Sequence, residues 1–90
     1  MTDRQLQIDA LIQLSRKLKR DGSKAQAERL MRQTLVKVEE KEGTQSALTG
    51  LALLELADLF DEQGRDEEAG LLWNRIRKIM IEHSEAPNND

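Results

Sequence analysis

These 90 residues contain no cysteine and no tyrosine, a single proline (Pro87) and only two aromatic side chains, Phe60 and Trp73. The missing thiols exclude disulfides, thiolate nucleophiles and cysteine-rich zinc sites together. Only one histidine occurs, His83, and no nucleophile, base or metal ligand can be named beside it. No glycine-rich phosphate loop is present, and no acid–base pair stands out from the surface charge. An enzyme is therefore not expected, nor any cofactor or metal. The polar start Met1-Thr2-Asp3-Arg4-Gln5 is followed by no long apolar run. Neither a leader nor a membrane span is expected, and the cytoplasm is the default location.

What the chain does have is strong helix formers: Leu, Ala, Glu, Arg, Lys and Gln dominate it. Apolar residues make up 38% and charged ones 34%, which predicts one small domain with a thin core. The net charge of −3 conceals an asymmetry. Residues 1–41 carry ten Lys/Arg and six Asp/Glu, whereas residues 42–90 carry four and eleven. One half is basic and the other acidic.

Gly22 and Gly64 lie 42 residues apart, each between two apolar helical patterns, where a glycine ends a helix. Leu11, Leu14 and Leu18 precede the first; Leu53, Leu56 and Phe60 precede the second at the same offset. After the glycines, Ala27, Leu30, Met31 and Thr34 match Ala69, Leu72, Trp73 and Ile76. Similarity at one fixed period indicates a helical repeat array. Four helices are predicted, at about 3–20, 24–41, 45–62 and 66–83. They form repeats over about 3–41 and 45–83 within a single domain, 1–83, and residues 84–90 form a frayed tail. Thr2 with Gln5, and Ser23 with Gln26, read as capping boxes; Thr44 reads as the cap of the third helix. That helix is apolar around most of its circumference from Leu51 to Phe60, so it should be covered by all three others.

The second unit, Leu53-x-x-Leu56-Ala57-x-x-Phe60-x-x-x-Gly64-Arg65-x-x-Glu68-Ala69-x-x-x-Trp73, resembles a tetratricopeptide repeat. The first unit follows it with Leu11, Leu14, Ser15, Leu18, Gly22, Ala27 and Met31. The usual period is about 34 residues; the longer one resembles the kinesin light chain type, in which the second helix is extended. The resemblance implies an all-α fold of two stacked antiparallel helical hairpins, a short α-solenoid. It also implies a protein-binding scaffold whose first helices line a concave groove, without chemistry or cofactor.

On that geometry, Ile12, Arg16, Lys19 and Arg20 of the first helix should face the groove. Leu54, Asp58, Asp61 and Glu62 of the third should face it as well. Leu72, Trp73, Ile76, Ile79 and Met80 should form an open end on which a third hairpin would rest. Adding 42 to Arg16, Lys19 and Arg20 gives Asp58, Asp61 and Glu62, so three ion pairs are expected between the repeats. These pairs account for the basic cluster better than a nucleic-acid contact does. The expected function is binding of another protein or peptide, as an adaptor, regulator or assembly factor, with a homodimer covering the open end as one form of it. A self-assembling structural protein is the second reading. A nucleic-acid-binding regulator using the basic first helix is the third.

Overall fold

The computed structural model describes residues 2–84 and is all-α. Helix α1 spans Asp3–Arg20, α2 Lys24–Glu42, α3 Ala47–Glu62 and α4 Asp66–Ser84. α1 packs on α2 and α3 on α4, and the two hairpins stack because α3 also lies against α2 and touches α1. Ser84 belongs to α4; the rest of the tail expected over 84–90 lies outside the described residues.

The two hairpin turns are built alike. Gly22 and Gly64 take φ of 89° and 74°, the left-handed region that disfavours a Cβ. The amide of Ser23 donates to the Leu18 carbonyl (2.8 Å), and that of Gly22 to Lys19 (3.0 Å). Forty-two residues on, Arg65 donates to Phe60 (2.9 Å) and Gly64 to Asp61 (3.1 Å). Both are the paired bonds of a Schellman ending. This geometry explains why Ser23 does not cap α2 through its side chain. It is committed to closing α1, and its ψ of 59° is far from the extended backbone of a capping residue. Thr2 does cap α1, accepting from the Gln5 amide at 3.0 Å.

The cap of α3 is Ser46, not Thr44. Its hydroxyl accepts from the Thr49 amide at 3.0 Å. The fully buried Thr49 hydroxyl in turn donates to the Gly43 carbonyl at 2.6 Å, tying the inter-hairpin loop down. α3 thus starts two residues later than predicted, and the loop is one residue longer. At the far end of α4, His83 Nε2 donates to the Gln45 carbonyl (2.9 Å), which makes this histidine a tether.

α3 is enclosed as its composition demands, with Ala52, Leu53, Leu56, Ala57, Leu59 and Phe60 buried along it. Small residues allow the close approaches: Ala27, Ala57 and Ala69 are inaccessible, and a Cβ on Gly50 would touch Ile79 at 3.5 Å. α1 departs from expectation. Its core-facing stripe is Ile8, Ile12 and Ser15, while Leu14 stands 46% exposed. Its equivalent in the second repeat, Leu56, is 2% exposed because the first hairpin covers it. Nothing among the described residues covers Leu14 in the same way.

Candidate interaction surfaces

Between the parallel helices α1 and α3 the ion pairs form, displaced from the 42-residue rule. Arg16 donates through Nε and Nη2 to the two oxygens of Glu55, at 3.1 and 3.0 Å. Lys19 Nζ donates to Glu62 Oε2 at 3.1 Å. Asp58 is therefore not the partner of Arg16, nor Asp61 of Lys19, nor Glu62 of Arg20. In both pairs the partner is a glutamate, one methylene longer than the aspartate at the 42-residue position: Glu55 lies one turn before Asp58, and Glu62 one residue after Asp61. Glu55 is 4% exposed, and no repeat pattern singled it out; its signal was an acidic residue inside an otherwise apolar run. Its carboxylate holds the Arg16 guanidinium protonated, pushing its pKa up, first by hydrogen bonding and then by charge. Arg20 is exposed and pairs with no carboxylate among the described residues.

Asp58 is half-buried, and its pKa is raised, chiefly by desolvation and next by the neighbouring Glu55 charge, with Lys19 opposing. Asp61 accepts a hydrogen bond from Trp73 Nε1 at 2.9 Å. That bond joins the groove to the open end: Leu54, Asp58, Asp61, Trp73 and Met80 form one mixed surface along α3 and α4. Leu72 is half-buried against the core. Three of the expected contact residues are withdrawn. Ile12, Ile76 and Ile79 are buried in the core, Ile79 lying against Gly50 of α3. A 3.6-residue period identifies an apolar face but does not say whether a neighbouring helix covers it. Exposed instead on α4, and missed from sequence, are Leu71 and Ile81. Shallow depressions flank Trp73 on both sides, one reaching Leu71 and Asn74, the other Met80 and Ile81.

On the opposite side, Arg65 is a hub linking the hairpins. It donates to both oxygens of Glu68 (2.7 and 2.9 Å) and to Glu28, and lies 4.2 Å from the Phe60 ring centroid. Arg32 stacks nearby at 5.2 Å and also bonds Glu28 at 2.9 Å. The Arg65 hydrogen bond, reinforced by Arg32, holds the Glu28 carboxyl below its usual range. Arg75 pairs with Glu39 across α2 and α4, and Arg4 with Glu42 at the other end of the first hairpin. These cations are committed to structure. A narrow apolar slot between α1 and α2, floored by Ile8, Thr34 and Val38, has charged residues only at its rim.

No group of three acidic or histidine side chains among the described residues could hold a metal ion. No helix among them is long and apolar enough to cross a membrane. Comparison of the chain with protein-family models, with curated proteins and with solved structures returns no match in any of the three.

Proposed function

We propose that the chain is a non-catalytic protein–protein interaction module made of two tetratricopeptide-like repeats. It binds a protein or peptide on the continuous surface of Leu54, Asp58, Asp61, Trp73 and Met80. The observation that carries this reading is the composition of that surface. It offers a half-buried tryptophan, flanked by exposed apolar side chains and by two carboxylates without a cationic partner in hydrogen-bond contact. Aromatic anchors with a polar rim are the usual makings of an interface centre. A cation on the partner would relieve Asp58. The nucleic-acid reading is weakened, since Arg16 and Lys19 of the basic first helix are held by Glu55 and Glu62. The proposed setting is the cytoplasm, where a cysteine-free helical repeat gives up nothing.

The test is affinity capture with the intact chain against Leu54→Glu and Met80→Glu variants. Both residues are exposed, so the fold should survive both changes. Proteins retained by the parent and lost by both variants fit the reading. Equal retention by all three refutes it.

A further inference from the structure

Because the repeats are equivalent, each residue has a counterpart that tells whether its environment is complete. Towards the open end, Val38 is 5% exposed while its counterpart Met80 is 63% exposed. Ile12 is buried where Leu54 is exposed, and Met31 is inaccessible where Trp73 is half-buried. The α3–α4 face therefore repeats the surface on which α3 rests, without an occupant among the described residues. The outer face of α1 shows the converse. Leu6, Ala10 and Leu14 are exposed, and their counterparts Leu48, Ala52 and Leu56 are the residues that α3 presses into the first hairpin. One face is a socket and the other the matching plug.

We propose that copies of this chain stack head to tail, the α1 face of one seating on the α3–α4 end of the next. This rests on the protein-binding reading above and names the partner as a second copy. Charge supports the same register. Inside the chain, Lys19 of the socket meets Glu62 of the plug. Moving each by the repeat period gives Asp61 in the free socket and Arg20 on the free plug. The pair is retained with its signs exchanged. Arg16 and Glu55 become Asp58 and Gln13, so a neutral amide donor would reach the carboxyl that burial already disfavours as an anion. Asp61 spends one oxygen on Trp73 and has the other to offer. Asp9 and Lys17 stand where the internal interface has Leu51 and Leu59, and Lys17 is paired with Asp21. The contact between copies is accordingly weaker than the one within the chain, and reversible. A plug-and-socket contact is heterologous, so it propagates instead of closing at two copies.

Sedimentation velocity and light scattering of the intact chain, from about 5 to 500 μM, test this, because that range spans a micromolar association. The mean mass should climb past the dimer without a plateau, and emission from Trp73, the only tryptophan, should shift to the blue as the socket is covered. Arg20→Asp alone and Asp61→Arg alone should each weaken association roughly ten-fold. An equimolar mixture of the two should restore it, since each supplies the charge the other now needs. Thermal melts of each variant check that it is folded. A parent chain monomeric at 500 μM overturns the inference. So does a mass that stops at two copies and ignores Arg20→Asp, or a mixture without recovery. If the chain is monomeric yet retains another protein that Met80→Glu loses, only the stacking fails; if it retains none, the interaction reading fails with it.

Discussion

Arg16 and Glu55 offer the sharpest test of how the hairpins are held in register. Glu55 is 4% exposed and takes two hydrogen bonds from a guanidinium whose own side chain is 48% exposed. Removing one partner of a fully buried pair costs about 3–5 kcal/mol, because the other charge is stranded. Here water can reach the outer side of Arg16 and would replace part of what it supplies. We therefore halve the figure, to about 1.5–2.5 kcal/mol for Arg16→Ala. Glu55→Met should cost under about 1 kcal/mol, since a methionine fills the space without a charge to satisfy. Arg16→Ala combined with Glu55→Met should then lose less than the arginine change alone, with a coupling of about 1–2 kcal/mol. Urea unfolding followed by helical circular dichroism, read at constant m, measures all four corners of the cycle. A loss below about 0.5 kcal/mol for Arg16→Ala, or strictly additive losses, would refute the pairing.

Three further outcomes are expected. Ser15 is fully buried and its hydroxyl finds no partner among the described residues, so Ser15→Ala should raise stability by about 1 kcal/mol in the same urea assay. Leu56→Ala and Phe60→Ala should each cost about 2–5 kcal/mol by urea or thermal melts, as deletions at the centre of α3. Asp58 has a folded pKa above its ordinary 3.8, so its stabilising contribution exists at acid pH and is lost as pH rises through the folded value. Asp58→Asn should therefore be more stable than the parent at pH 7, and thermal melts should show that advantage vanishing below about pH 4.

Much of this fold could be read from the chain because its signals are local. Gly22 and Gly64 end helices through their own backbone freedom, and Thr2 caps α1 through a residue three positions away. The enclosure of α3 was legible too, since a run such as Leu51–Phe60 has no polar face to give to water. Other features depend on where a side chain leans or which neighbour lies above it. The 42-residue offset paired Arg16 with Asp58; the arginine instead meets Glu55, one turn earlier on α3. Ile12, Ile76 and Ile79 belong to the core, because whether an apolar face is covered is decided by packing and not by its period. Ser46 and Thr44 are both sound capping residues. Ser46 prevails because the buried Thr49 hydroxyl bonds both it and the Gly43 carbonyl.

The proposed binding at the outer faces follows from how the two described hairpins pack. In a long solenoid most interfaces are internal, and the two terminal units carry polar faces that keep the array soluble. Here the described hairpins make one internal interface and leave two outer faces, and each keeps exposed apolar side chains among its charges. Met80 and Leu54 stand at one, Leu6 and Leu14 at the other, all exposed. Burying them would stabilise by roughly 25 cal/mol for each Å² of apolar surface removed from water. No described residue supplies that gain, whereas a second copy stacked as proposed would. The internal interface gives the specification for that contact: apolar residues at three turns of one helix, a bulky side chain opposite, and an ion pair at the edge to fix the register. An outer face that meets this specification in shape, and carries the opposite sign at the edge position, selects its partner by charge before any apolar surface is covered.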